Sequence, residues 1–218
     1  MNKENLLNII KQLKNSSKRK FNQKVDLIIN LKDINLKKPE ENVDLFIPLP
    51  NNPGKQVKIC ALVSKELKEQ ANIFDKVISK EEFNDYEDKK VLKKLTKEFD
   101  FFVAQANVMT DVAKVFGKTL GPHGKMPNPK SGAVITPTTN LNELREKLQR
   151  TARLKTKNEP IIKAIVGNQN MKEEEIVDNI IIIYDALIHS LPQGQANIKD
   201  IILKLTMSKP IKLEKWNM

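Results

Sequence analysis

Cysteine, histidine and long apolar runs are all scarce in this chain of 218 residues, and each shortage excludes something. The single thiol, Cys60, rules out an intramolecular disulfide and a cysteine-based zinc site. Its place in the apolar run 57–63 reads as a buried strand position rather than a nucleophile. Runs such as 180–184 fall far short of the roughly 20 apolar residues of a membrane-spanning helix. The first residues lack the apolar stretch of a secretory signal, so a cytoplasmic protein with no membrane partner is expected. His123 and His189 have no Ser or Cys at suggestive spacing, and Glu173, Glu174 and Glu175 suit the amino end of a helix, where they complement its dipole. No strand is followed by G-x-G-x-x-G. The nearest approach to a P-loop, Gly124-Lys125, has Thr119 where the first glycine belongs and Met126 where Ser or Thr belongs. We therefore expect no catalytic residues, no metal site and no cofactor.

Positive charge is abundant. Lys and Arg exceed Asp and Glu by 38 to 27, giving +11, and the excess is unevenly spread. Residues 1–60 carry 12 basic and 6 acidic side chains, 61–110 carry 9 and 10, and 111–218 carry 17 and 11. Between 114 and 163 there are 11 basic against 3 acidic, so two stretches supply the field and the block 61–110 is neutral. A polyanion is the natural partner, because phosphate contacts release counterions and dominate nucleic-acid affinity. A well-solvated lysine surface accounts equally for the charge alone.

Periodicity divides the chain. Val25, Leu27, Ile29 and Leu31 alternate with polar residues, as do Val43, Leu45, Ile47 and Leu49, and both runs predict half-buried strands. Leu6, Leu7, Ile10 and Leu13 keep helical spacing; 161–166 and Ile201, Leu203, Leu205 predict further strands around a helix marked by Ile176, Ile180, Tyr184, Leu187 and Leu191. Between them, strand candidates at 57–63, 76–78 and 101–105 alternate with helix candidates at 65–71, 89–97, 108–118 and 141–151, with Asn107 as N-cap of the third helix. The expected fold is an α+β first domain, discontinuous over 1–55 and 155–218, with a four-stranded antiparallel sheet and two helices. Into it is inserted a Rossmann-like, three-layer α/β domain at 56–154. Two thin crossings, near Gly54 and near Asn158, would permit a hinge between them.

The segment 120–132, LGPHGKMPNPKSG, packs three Gly, three Pro and two Lys into thirteen residues and predicts a shaped surface loop with exposed amides and cations, neither helix nor strand. On its own it suits a phosphate, which keeps a phosphate- or nucleotide-binding α/β enzyme as the alternative. The same segment closely resembles the signature of the L-one family of large-subunit ribosomal proteins. So do Lys20-Phe21, 49–56 from Leu-Pro to Gly-Lys-Gln, and Leu205-Thr206-Met207; the form Lys125-Met126-Pro127 resembles the archaeal branch.

The resemblance implies a two-domain protein of the large ribosomal subunit. It would bind the mobile rRNA stalk beside the tRNA exit site, aid release of deacylated tRNA, and repress translation by binding its own mRNA, in the leader or the coding region. It implies a monomer when free. It also assigns the core RNA contact to Lys20, Phe21, Thr206, Met207, Ser208 and Lys209, where Ser208 replaces the family's usual glycine. Read from the residues alone, Phe21 packs at a strand entrance, a reading that the resemblance reverses, and Met207 shares the parity of Leu203 and Leu205, which would let it cap the core while Thr206 faces out. Lys32, Lys163 and Lys204 lie on the polar parity of their strands and extend the expected basic surface. In the Gly-Pro segment, Gly121, Gly124, Lys125 and Lys130 are candidates for stalk RNA or tRNA contact, with a structural role as the other reading.

Overall fold

The computed structural model describes residues 3–16, 19–38, 41–54, 56–86, 88–136 and 139–213; Lys55, part of the resemblance and of the expected boundary, lies outside them. In chain order the elements are α1 (Lys3–Ser16), β1 (Lys24–Leu31), β2 (Asp44–Pro48), β3 (Ile59–Val63), β4 (Lys76–Ser79), α2 (Lys89–Glu98), β5 (Phe101–Gln105) and α3 (Met109–His123). There follow β6 (Val134–Ile135), α4 (Leu141–Arg150), β7 (Thr151–Lys155), β8 (Ile161–Asn168), α5 (Glu173–Ser190), β9 (Ile198–Leu205) and β10 (Ile211–Leu213). The chain forms two compact units, residues 1–54 with 150–218, and residues 55–149.

In the first unit the antiparallel sheet has the order β10-β9-β1-β8. Strand β1 alternates perfectly between half-buried and buried, so Val25, Leu27, Ile29 and Leu31 face the core. Leu6, Ile10 and Leu13 of α1 and Ile176, Ile180, Ile183, Tyr184 and Leu187 of α5 close over them, each set spaced three or four residues apart. The run at 43–49 does not join this sheet. It pairs instead with β7 in a separate two-stranded ribbon, and the sheet's fourth strand is β10. Three residues are too short to show alternation, and β7 carries Arg153 and Lys155 where a strand signal would need apolar residues. Thr151, expected at a helix end, opens β7, and residues 150–154, expected in the insert, belong to the first unit through this ribbon.

The ribbon fixes where the chain leaves and returns. Leu49 N–H donates to Arg150 O at 3.0 Å, so the two crossings are neighbours. Asn179 of α5, fully buried, clasps the outgoing strand: its side-chain oxygen accepts from Asn51 N–H at 3.1 Å, and its Nδ2 donates to Asn51 O at 3.0 Å and Val166 O at 2.8 Å. Gly54 then turns with φ +74°, and a Cβ there would meet Asn168 Nδ2 at 1.9 Å.

The second unit is a parallel sheet of order β4-β3-β5-β6. Every residue of β3 is buried, as a strand covered on both faces requires. Cys60 and Leu62 pack with Leu92, Leu95, Val112 and Phe116 of α2 and α3, while Ile59, Ala61 and Val63 pack with Leu144 and Leu148 of α4. Cys60 is buried as expected, and burial pushes its thiol up to about 12. The helix expected at 65–71 is two short 3-10 turns, Lys65–Leu67 and Gln70–Ile73. Asn107 is not an N-cap, because a 3-10 turn at Ala106–Val108 runs directly into α3.

Candidate nucleic-acid interface

One end of the first unit's sheet gathers three chain segments. Lys24 opens β1 and Thr206 directly follows β9: Lys24 N–H donates to Thr206 Oγ1 at 3.1 Å and Thr206 N–H donates to Lys24 O at 3.2 Å. Gln23, completely buried, ties the third segment in. Its Oε1 accepts from Met207 N–H at 3.0 Å, its backbone carbonyl accepts from Gln169 N–H at 2.8 Å, and its Nε2 lies 3.5 Å from Gln169 Oε1. With those bonds made, the backbone at Thr206 is held by a main-chain bond to Lys24 and that at Met207 by the Gln23 side chain. Sequence reasoning missed Gln23. The available signal was its parity with Val25, Leu27 and Ile29, which places a polar residue on the core face, where it must find partners.

Around this knot the side chains face outward. Phe21, 50% exposed, and Met207, 58% exposed, are two of the four large apolar residues exposed among the described residues. Met207 therefore does not cap the core: β9 ends at Leu205, and the bond to Gln23 carries the chain into a turn that breaks the strand's parity. Thr206, Lys20 and Lys209 are exposed beside them. Ser208 closes the turn, its N–H donating to Leu205 O at 3.2 Å and its Oγ accepting from Leu205 N–H at 2.8 Å. Among the described residues Asp33 alone, glycines aside, has positive φ, so the turn at Ser208 does not require a glycine backbone.

Lys204 extends this surface along β9, opposite Asp26 of β1. Burial raises the Asp26 carboxyl above its ordinary range, with Lys204 and Lys24 pulling the other way. Lys163 stands farther along the outer face, opposite Ile28. Lys32 is not in the group. It follows the opposite end of β1, roughly 25 Å of strand away, where its backbone bonds to Asn197.

The Gly-Pro segment is built differently. Its first residues, including Gly121, complete α3, which tolerates Pro122 in its exposed last turn. Gly124, at φ +67°, ends the helix: Gly124 N–H donates to Gly121 O at 2.8 Å and Lys125 N–H to Leu120 O at 2.9 Å, a Schellman closure. The Lys125 ammonium donates to Thr96 O and Phe99 O, both at 2.7 Å, and so caps α2. Asn128 begins a 3-10 turn, Pro129–Ser131, and accepts from Lys130 N–H at 2.9 Å; the Lys130 side chain is exposed. Of the four candidates here, Gly124 and Lys125 hold the fold of this unit, and the expectation that the whole segment lies outside regular structure is corrected.

The outward set of an aromatic ring, a thioether, a hydroxyl and lysines on a fixed backbone can stack on bases, hydrogen-bond a ribose hydroxyl and neutralise phosphates. Among the described residues no group of acids, histidines and cysteine could hold a metal ion, and no helix is long and apolar enough to cross a membrane.

Comparison with known proteins agrees with the chemistry. Residues 13–209 match the Ribosomal protein L1p/L10e family. The large ribosomal subunit protein uL1 of Methanothermococcus thermolithotrophicus is 37% identical over 99% of this chain and all of its own length. That of Pyrococcus abyssi is 37% identical over 97% of this chain and 96% of its own. The Nanoarchaeum equitans protein is 38% identical over 94% and 97%. These are structural proteins of the ribosome and not enzymes, which closes the alternative of an α/β enzyme. The chain belongs to the ribosomal protein L1p/L10e family and is of the archaeal type.

Proposed function

We propose that this protein binds the mobile stalk of large-subunit rRNA beside the tRNA exit site, through the sheet end formed by Lys20, Phe21, Lys204, Thr206, Met207, Ser208 and Lys209. One observation carries the reading: Phe21 and Met207 are exposed together around a backbone that buried Gln23 holds in place. An exposed aromatic and thioether on a rigid turn suit unstacked bases, and the lysines beside them suit the phosphates that position a folded RNA. Residues 1–54 and 150–218 form the specific binding domain, and 55–149 the inserted domain that accompanies release of deacylated tRNA. An mRNA structure that imitates the stalk occupies the same surface, which makes the protein a repressor of its own synthesis.

A gel-shift with the isolated stalk fragment against an unrelated RNA duplex tests this. The full chain prefers the stalk. So does a variant in which residues 55–149 are replaced by a short linker, because the Leu49–Arg150 hydrogen bond holds the crossings together. A folded truncated protein without that preference defeats the assignment of specificity to the first domain. An own-mRNA fragment should compete with the stalk for the parent protein and lose affinity in Phe21→Ala to the same extent.

A further inference from the structure

The block 61–110 is neutral by composition, yet folding sorts its charges. Five of its nine lysines, Lys89, Lys90, Lys93, Lys94 and Lys97, are on α2, and all five are exposed. At 3.6 residues per turn they fall within an arc of about 140° that contains no carboxylate, opposite the buried Leu92, Leu95 and Thr96. Elsewhere in the unit lysines meet acids: Lys58–Glu98 at 3.8 Å, Lys68–Glu82 at 2.6 Å, Lys80–Asp111 at 2.8 Å. Among the described residues none of the five on α2 has such a partner. The helix carries like charges at i,i+4 (89 and 93, 90 and 94, 93 and 97), an arrangement that works against it. It is nevertheless fastened at both ends, by the Asp88 side chain accepting from Lys90 N–H at 2.9 Å and by the Lys125 ammonium on its last carbonyls. A rigid helix with an uncompensated cationic face is matched by a row of anions whose spacing repeats as the lysines do.

We propose that the lysine face of α2 is a second RNA-binding surface, one that grips the phosphate backbone without reading sequence. The proposal rests on the RNA-binding function above and adds to it a contact made by the second unit. It has no aromatic or amide side chain to discriminate bases, so it contributes affinity and salt dependence rather than preference.

The test compares the full-length parent, a variant with Lys90, Lys93, Lys94 and Lys97 all changed to Gln, and one with the same four changed to Arg. Each is titrated with an unrelated RNA duplex across a salt series and with the stalk fragment at fixed salt. The Gln variant should bind the duplex at least about tenfold more weakly near 0.1 M salt, and the slope of log K against log salt should fall by about 3 for four lost phosphate contacts. The Arg variant should keep the parent slope, which separates charge from helix damage. Equal slopes for parent and Gln variant overturn the proposal. So does binding to phosphatidylserine vesicles that the Gln variant loses while its duplex slope stays unchanged, because the partner would then be an anionic membrane. The stalk's advantage over duplex, read in the parent, is a separate outcome: its absence defeats the function proposed above and leaves the α2 result standing.

Discussion

The turn after β9 and the turn after α3 are built from similar materials and use them in opposite directions. Each leaves a regular element, each carries lysine, and each has a side chain that fastens backbone. In the first, buried Gln23 satisfies the backbone from beneath, so Phe21, Thr206 and Met207 are left facing water. In the second the Lys125 cation itself turns inward onto Thr96 O and Phe99 O. A positive charge engaged by two carbonyls is part of a helix end. The difference teaches that an unusual density of Gly, Pro and Lys marks a constrained backbone, and that recognition is better sought where apolar groups stay exposed beside a satisfied one.

The contrast breaks most readily at the first turn. Phe21→Ala and Thr206→Ala should each weaken stalk RNA binding by about 1–3 kcal/mol, with little change for unrelated RNA or for the thermal midpoint. Parent-like binding of the stalk by both variants would move the specifying surface elsewhere. Lys125→Ala should act on stability instead, lowering that of the second unit by roughly 1–2 kcal/mol and leaving stalk affinity nearly unchanged. Cys60 gives this unit its own reporter, since its buried thiol, with a pKa pushed to about 12, reacts with thiol reagents only on opening. Labelling at pH 8 should be faster in Lys125→Ala and unaltered in Phe21→Ala. Gly124→Ala should follow the Lys125 pattern more weakly, by about 1 kcal/mol, because a Cβ is disfavoured at φ +67°.

The smallest effect concerns the ribbon that joins the two crossings. Burial works against ionisation of Asp44, but the Arg153 fork, at 2.8 and 2.7 Å, and Lys155 outweigh it and hold the carboxyl below its ordinary value. A depressed acid contributes stability above its unfolded pKa of about 3.9 and loses it as pH falls through the folded value. Asp44→Asn should therefore lower the first unit's stability slightly at pH 7, flatten its acid limb below pH 4, and converge on the parent at low pH. An unchanged acid limb would show that the pair is a solvent-screened contact.

The periodic elements were legible in the sequence because burial wrote them there: β1, α1, α5 and the doubly covered β3 all appear as patterns of apolar residues. Partnerships were less so. The alternation at 43–49 identifies a half-buried strand but is silent on its neighbour, and β7 and β10 are too short or too charged to announce themselves. At the candidate interface, Phe21, Thr206 and Met207 were found through resemblance, whereas the reason they can face outward, Gln23, is a tertiary fact. Neutral composition at 61–110 concealed a charged helix face because summation along the chain discards the angle at which each side chain leaves it.

Strand β1 lies between β8 and β9, and its residues 24–31 pair with 161–168 and 198–205. During synthesis it has no partner until more than a hundred further residues exist, while the second unit, residues 55–149, has every strand it needs well before that. The inserted unit is thus positioned to fold first as the chain emerges, and the outer unit closes around its ends last. The Leu49–Arg150 bond shortens the loop that closure must span, because a folded insert delivers both crossings together instead of a flexible chain of 95 residues. By this order, the surface proposed to prefer the stalk, which joins residues 20–21 to residues 204–209, assembles only after the second unit has folded, whereas the lysine face of α2 is in place before it.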